Sequence, residues 1–532
     1  MCGIFACLNC TCDAKTVHEY FNKIKHRGPD DSEIVKKGSH VFGFHRLAIN
    51  DIENGNQPFE KNGLIMICNG EIYNHKTIES NHKLQSQLET KSDCECIIHL
   101  FDSGMSSEQI AAQLDAEFAF VVYDEKTNTV HVARDAFGVR PLFWGIKDNM
   151  IAFASEMKAI NYCDFIEPFL PGHSMTLNLN TTMSPTYIKN QYKRFYCFPD
   201  MINLFGREDV LATVRTLFIS AVQKRVMSDR PIGCLLSGGL DSSLVAAVLN
   251  RFVPNVHLFS VGLEGSVDVA AAKKVAKFLN NPNHHILTFT VDEGANVIDD
   301  VIRQLESYDV TTVRASTPQY LLAKYISTNT DIVVIYSGEG SDELNAGYQY
   351  SKRAPNAQEL LCDGKSLLSE LYMFDNLRTD RTTAAWGLEV RVPFLDKEFV
   401  NYVLSVNPEF KVCNAETIEK KLIRDAFVGW LPDEILYRPK EAFSDAVSSK
   451  EVSWYKSLQA KIAKVVTDDE LLNHTYTFNP PQTKEALYYR NVFEDYYSNR
   501  EHVISKMWMP KWQTETTNDP SATVLSCYSV SK

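Results

Sequence analysis

The chain has 532 residues, more than one compact core holds, so two domains of a few hundred residues each are expected. Hydrophobic residues make up 44% and charged residues 23%, an ordinary globular composition, and 54 basic against 67 acidic side chains leave a net charge of −13. That balance disfavours non-specific nucleic-acid binding, and the lack of a membrane-length apolar run or a basic leader points to a cytoplasmic protein with no membrane partner.

In chain order, apolar or alternating segments predict strands at residues 4–9, 41–48, 64–68, 118–123, 129–133 and 151–154. Helical patterns fall near 14–24, 91–101 and 106–113. The mixture predicts a sheet-rich α+β domain over residues 2–190. Periodicity stops around 190–205, and a junction is placed at 191–207. Beyond it, strand-like runs at 231–236, 257–261, 285–289 and 332–336 alternate with helices. That alternation predicts an α/β domain with a parallel sheet over 208–532, mostly helical from 357 onward and irregular after 509. Thirteen cysteines, an odd number, read as free thiols of a reducing compartment. The spacing of Cys7, Cys10 and Cys12, and of Cys94 and Cys96, leaves a metal reading open, although neither set has a four-ligand zinc spacing.

Cys2 follows the initiator Met and precedes Gly3. Loss of Met1 would expose an α-amino group whose pKa, ~7.7–8.0, suits a base at neutral pH, so nucleophile and base would share one residue. The bland alternative is a cysteine at an unstructured terminus. Further on come His26-Arg27-Gly28-Pro29-Asp30, Gly43-Phe44-His45-Arg46-Leu47-Ala48-Ile49, Asn69-Gly70-Glu71-Ile72-Tyr73-Asn74, Ser92-Asp93 and Arg134-Asp135-Ala136-Phe137-Gly138-Val139-Arg140-Pro141-Leu142. With these motifs the first 190 residues or so resemble the class II glutamine amidotransferase domain, an αββα sandwich of the N-terminal-nucleophile hydrolases. The resemblance implies that Cys2 attacks the glutamine side-chain amide, with Asn69 and the Gly70 N–H as oxyanion hole. It implies that Arg46 pairs with the substrate carboxylate, that Glu71 and Asp93 hold its ammonium, and that backbone around Leu47, Ala48, Ile49 and Asn50 completes the pocket. Taken singly, Arg46 could be a surface ion pair, Asn69-Gly70 a type I′ hairpin turn, and Glu71 and Asp93 solvated carboxylates.

The run Ser237-Gly238-Gly239-Leu240-Asp241-Ser242-Ser243 follows an apolar strand and opens a helical pattern. Strand, glycine turn and helix N-terminus make an anion site; the alternative is an ordinary connection with Ser as N-cap. The run lacks the P-loop pattern and is similar to the signature of ATP pyrophosphatases, which cleave ATP between the α- and β-phosphates. A second turn, Ser337-Gly338-Glu339-Gly340-Ser341-Asp342-Glu343, follows the 332–336 run. Together with residues 309–316, 390–396, Arg438-Pro439-Lys440-Glu441-Ala442-Phe443 and Asp519-Pro520-Ser521-Ala522, these turns resemble the synthetase domain of the asparagine synthetase family.

That resemblance implies a reaction of ATP, aspartate and glutamine through β-aspartyl-AMP, with ammonia passed internally. It implies pyrophosphate on Ser237, Gly238, Gly239 and Ser242, adenosine against Leu235, Val261, Ser337 and Gly338, and Mg²⁺ on Asp241 and Asp342, with no organic prosthetic group. Glu339 and Lys440 are implied in adenylation and amide formation, and Arg314 and Arg391 in aspartate or phosphate contacts, although Arg391 could equally be a structural ion pair. A homodimer is a family expectation. A sugar-phosphate amidotransferase would need a different second domain. A β-lactam synthetase-like cyclase typically lacks the terminal nucleophile, and a non-catalytic paralogue should have lost Cys2, the phosphate loop or Lys440.

Overall fold

The computed structural model describes residues 1–532 except 415–416, 442, 444–446, 450, 513–517 and 521–532. The motif residues Ala442, Ser521 and Ala522, and most of the tail expected to be irregular, lie outside the described residues. The chain divides into two compact units: Met1–Cys197 with Met227–Arg230 and Ala384–Glu389, and Phe198–Val226 with Pro231–Thr383 and Val390–Lys532.

The first unit contains two six-stranded antiparallel sheets. Its strands are β1 (Gly3–Leu8), β2 (Asp31–Lys37), β3 (His40–Arg46), β4 (Phe59–Lys61), β5 (Leu64–Ile72), β6 (Ala116–Asp124), β7 (Thr129–Arg134), β8 (Phe143–Lys147), β9 (Met150–Ala154), β10 (Phe165–Pro168), β11 (His173–Asn178) and β12 (Lys193–Arg194). One sheet runs β10-β8-β9-β1-β3-β2 and the other β12-β11-β7-β6-β5-β4. Because side chains alternate along a strand, β5 sends Ile65 and Ile67 into a core shared with Ile4, Ala6 and Phe44 of the opposite sheet. It sends Met66 and Cys68 the other way, against Ile97, Leu100 and Ile110 of helices Glu95–Asp102 and Ser107–Gln113. On the outer face of the first sheet, Phe21 of helix Ala14–Asn22 stacks on His45 at 3.7 Å. A Cβ on Gly43 would stand 2.7 Å from that ring, so glycine lets the helix seat on the sheet. The layers are therefore αββα.

One local expectation shifts, and β2 is a strand that was not anticipated. The helix anticipated from residue 91 begins at Glu95, because the Asp93 carboxylate accepts from the Ile72 N–H at 2.6 Å instead of extending the helix start. β2 carries the polar run Asp-Ser-Glu-Ile-Val-Lys-Lys, and its charges suit an exposed sheet edge rather than an alternating core strand.

In the second unit the sheet order is β15-β14-β13-β16-β17, with β13 (Ile232–Leu235), β14 (His257–Gly262), β15 (His284–Thr288), β16 (Val334–Tyr336) and β17 (Glu389–Arg391). β13 is parallel to both β14 and β16, and β14 to β15. From β13 the chain winds outward through β14 to β15, then returns to β16 on the other side. The order reverses between β13 and β16, the crevice where open parallel sheets bind ligands beyond their carboxyl ends. Among the described residues, no helix is long and apolar enough to cross a membrane.

Candidate functional site

Two sites can be built, one in each unit. In the first, Cys2 immediately precedes β1 and β5 carries Asn69. The Cys2 backbone N–H donates to Asn69 Oδ1 at 2.9 Å, and its Sγ lies 3.8 Å from the Leu47 carbonyl oxygen. Asn69 Nδ2 is buried and meets no acceptor among the described residues. Its oxygen thus holds the Cys2 backbone, while its amide nitrogen is left without an acceptor among these residues. Arg27 supports the same residue: Nε donates to the Cys2 carbonyl at 3.1 Å, and Nη1 pairs with Glu156 at 2.6 Å. Burial pushes the Cys2 thiol up to about 11, so it needs a base to become a nucleophile at neutral pH.

The hairpin-turn alternative for Asn69-Gly70 is overturned. Both residues lie inside β5, paired with Ala119 and Phe118 of β6. Glycine is needed there for a different reason, since a Cβ on Gly70 would come within 2.9 Å of Phe118 Cβ and 3.0 Å of the Glu117 carbonyl oxygen. The alternatives for the charged residues also fall away. Glu71 and Asp93 are buried and share one donor, Asn50 Nδ2, at 2.8 and 3.1 Å. Burial holds the Asp93 carboxyl above its ordinary range. Arg46 is buried rather than a surface ion pair. Nη1 donates to the Ile52 carbonyl at 3.0 Å and to Asn56 Oδ1 at 2.8 Å, while Nη2 donates to the carbonyls of Asn50, at 3.3 Å, and Asp51. The Ala48 N–H donates to Asp30 at 2.8 Å, which fixes the strand exit carrying Leu47 and Ile49.

The second site is a pocket at the β13–β16 crevice. It is lined by Leu235, Ser237, Gly239, Asp241, Ser242, Val261, Ser337, Gly338, Glu339, Asp342 and Lys440 among the residues singled out from sequence. Helix Leu240–Phe252 has Gly239 as its N-cap and no side-chain cap, so Ser237 is not the cap of the ordinary-connection alternative. Ser237 Oγ instead lies 2.9 Å from Ser242 Oγ and accepts from the Gly239 N–H at 3.2 Å, which shapes the loop at the open helix N-terminus. Gly238 lies at φ +79, and a Cβ there would stand 2.5 Å from the Ala272 N. It faces away from the pocket lining, with its carbonyl accepting from Arg438 at 3.1 Å.

The two loops touch at Gly338, where a Cβ would meet the Ser242 N at 2.9 Å and Asp241 Cβ at 3.0 Å. Asp241 and Asp342 converge on one ammonium: Lys420 Nζ lies 2.5 Å from the first and 2.6 Å from the second. Lys440 Nζ reaches Asp342 at 2.5 Å. Burial alone would raise the Asp342 pKa; Lys420 and Lys440 outweigh it and hold the carboxyl well below the usual range.

Sequence reasoning missed several lining residues. Lys420 sits in Glu-Lys-Lys, which reads as a solvated charge run, yet it is buried between two carboxylates. Arg378 Nη2 donates to Glu339 at 2.7 Å and Nη1 to Asp375 at 2.7 Å; Thr379 Oγ1 donates to Glu339 at 3.0 Å. These residues belong to helix Asp375–Ala384, whose sequence is polar nearly all round although Asn376, Arg378, Thr379, Asp380 and Arg381 are all buried. A charged stretch without an apolar stripe was the available signal, because polar groups are buried only where they are paired. Two predicted residues are not brought to the pocket. Arg314 pairs with Glu485 at 2.5 Å and Asp519 at 2.9 Å, and the fully buried Arg391 donates to the Arg225 carbonyl at 2.5 Å.

The sequence profile described as a glutamine amidotransferase domain matches residues 1–199, and the one described as asparagine synthase matches 213–364 and 365–522. The chain is 45% identical to a probable glutamine-hydrolysing asparagine synthetase of Acanthamoeba polyphaga mimivirus, over 98% of this chain and 97% of that protein. It is 43% identical to the glutamine-hydrolysing asparagine synthetase of Homo sapiens, over 99% of both chains. Among solved structures, a glutamine phosphoribosylpyrophosphate amidotransferase from B. subtilis aligns over 53% of this chain and 80% of that one, at 16% identity and a TM-score of 0.31. The chain belongs to the asparagine synthase family.

Proposed function

We propose that this chain is a glutamine-hydrolysing asparagine synthetase, which converts ATP, aspartate, glutamine and water to AMP, diphosphate, asparagine and glutamate. The observation that carries the reading is Asn69: its oxygen is spent on the Cys2 N–H, and its buried amide nitrogen has no acceptor among the described residues. A donor placed beside a nucleophile and left unpaired suits charge that develops only during reaction. Cys2 attacks the glutamine amide carbon, the oxyanion is held by Asn69 and the Gly70 N–H, and ammonia leaves a thioester. Arg46 holds the substrate carboxylate, and Glu71 and Asp93 its ammonium. Loss of Met1 frees the Cys2 α-amine, which then accepts the thiol proton. The glutaminase domain is proposed to span 2–190, and the synthetase domain 208–532.

In the second pocket the Ser237–Ser243 turn receives the phosphates on backbone N–H groups. The aspartate β-carboxylate attacks the α-phosphate, diphosphate leaves, and Lys440 offsets the accumulating charge. Ammonia, handed on internally, then displaces AMP. Arg378 and Asp375 offer aspartate one cation and one anion for its α-carboxylate and α-ammonium, a task Arg314 and Arg391 are not placed to perform. Glu339, already oriented by Arg378 and Thr379, is positioned for the amide-forming step. Asp241 and Asp342 fit Mg²⁺, since both are hard oxygen donors that reach a single cation position, the Lys420 ammonium. When bound, the ion would offset diphosphate charge. A cytoplasmic location and a homodimer are part of the proposal.

The test is to incubate the full chain with aspartate, Mg-ATP and glutamine. Asparagine, AMP and diphosphate in equal amounts are expected; ADP as product, or no asparagine, overturns the assignment.

A further inference from the structure

Asp519 and Pro520 belong to a motif that neither proposed half-reaction uses, and Arg314, expected to reach the substrates, lies outside the pocket lining. Helix Val310–Asn329 lines the pocket with Thr311, Thr312 and Ala315. The C-terminal part of the chain is fastened to the start of this helix at two points. Asp309 is the N-cap: its Oδ2 accepts from the Thr312 N–H at 2.9 Å, and its Oδ1 accepts from the Trp508 N–H at 2.8 Å. At the second point Arg314 Nη1 donates to Asp519 Oδ1 at 2.9 Å and Nη2 to Oδ2 at 3.2 Å, while Gln459 Nε2 donates to Oδ2 at 2.7 Å. Each fastening brings a residue to the pocket wall, Trp508 at the first and the buried Pro520 beside the second. Arg314 does not need Asp519 for neutrality. Glu485 already accepts from its Nε at 2.7 Å and its Nη2 at 2.5 Å, a fork-to-fork pair for one guanidinium. The Asp519 carboxylate is an addition to that pair, and what it adds is the placement of Pro520.

We propose that Asp519 is a positioning residue for the synthetase reaction: clamped by Arg314 and Gln459, it sets Pro520 in the wall that keeps water from the acyl-adenylate. Asp-Pro is a stiff pair, because the proline ring fixes its own φ and restricts the residue before it, so holding the carboxylate holds the ring. On the reading of this pocket as the place where β-aspartyl-AMP forms, which the proposal requires, the intermediate is a mixed anhydride open to any nucleophile that reaches its acyl carbon. When water attacks, its oxygen bonds to the β-carbonyl carbon and the bond from that carbon to the phosphate oxygen breaks. AMP leaves with the electron pair, and the water gives up a proton. Aspartate is regenerated, and ATP ends as AMP and diphosphate with no amide formed. Ammonia attacking the same carbon gives asparagine. Enclosure decides between the two, because a closed site prevents hydrolysis of a reactive intermediate.

The experiment supplies the full chain and two variants with aspartate, Mg-ATP and ammonia, and measures AMP and asparagine. Equal amounts from the parent establish the reading on which the proposal rests; no asparagine from the parent overturns that reading and the proposal with it. Asp519→Asn removes the charge held by Arg314 while Glu485 stays paired with that cation, so no guanidinium is left buried alone. It should form AMP in excess of asparagine, and the excess should grow as ammonia is lowered, since water then competes better. Pro520→Gly removes the ring itself and should shift the ratio in the same direction. Continued AMP formation reports that the synthetase domain is folded, whereas a merely structural role would lower both products together. A ratio of AMP to asparagine equal to the parent's in either variant, at whatever rate, or loss of AMP formation in either, overturns the proposal.

Discussion

Asn69 illustrates how one side chain divides its two ends between structure and chemistry. Replacing it with Ala removes both the acceptor for the Cys2 N–H and the buried amide donor. Glutamine hydrolysis should fall by on the order of a hundredfold to a thousandfold in kcat, the usual cost of one oxyanion donor. Synthesis from added ammonia should be unchanged, and comparison of the two rates checks it. Glu343, in the other unit but outside the lining of its pocket, makes a second case. Its carboxyl accepts from Tyr348 OH at 2.5 Å, and burial, with Asp375 and Asp342 nearby, pushes its pKa from 4.5 to about 8. Between those values the folded chain keeps a proton that the unfolded chain releases, so stability falls as pH rises through this window. In Glu343→Gln that contribution disappears. The unfolding midpoint of the variant should decline less than that of the parent between pH 4.5 and 8; equal slopes would contradict the burial argument.

At the scale of elements, glycine does the positioning where two loops leave neighbouring parallel strands. Gly338, after β16, lies against the first turn of helix Leu240–Phe252, within 2.9 Å of the Ser242 N for any added Cβ. Gly338→Ala therefore separates the loop carrying Glu339 and Asp342 from the one carrying Asp241. Because misplacement by about 1 Å costs roughly a hundredfold in rate, ammonia-driven synthesis should fall by about that factor. Glutaminase activity should be retained; loss of both would point to general unfolding instead. Helix Asp375–Ala384 shows the converse, an element held by charges rather than by an apolar stripe. Arg381 pairs with Asp380 at 2.9 Å and Glu306 at 3.2 Å, and Arg378 with Glu339 and Asp375. Each cation is matched, which lets so polar a segment lie buried.

On the scale of the whole molecule, two reactions are assigned to two units with separate sheets. Cys2→Ala should abolish synthesis from glutamine and leave synthesis from ammonia intact, measured as asparagine formed per AMP. Loss of both in a folded variant would contradict the separation. The Cys2 variant also tests the role of Met1 removal, because a chain that keeps Met1 should behave like it: its Cys2 nitrogen is a peptide amide and cannot accept the thiol proton.

The change from alternating strands to a strand–helix rhythm was legible in the linear chain, because periodicity is local and follows from which faces are buried. So were Cys2, the Asn69-Gly70 pair and the Ser237–Ser243 turn, whose residue types are unusual in their order. Three matters were decided only by tertiary structure. Asn-Gly lies within a strand instead of a turn, since pairing with β6 outweighs the local hairpin preference. Arg314 is taken up by Glu485 and Asp519, and Arg391 is buried against the Arg225 carbonyl, because what a guanidinium pairs with depends on residues over a hundred positions away. Lys420 and Arg378 enter the pocket for the same reason. The linear chain determined which chemical groups were available. Long-range packing determined which of them face one another, because a charge is buried only where the fold brings its partner.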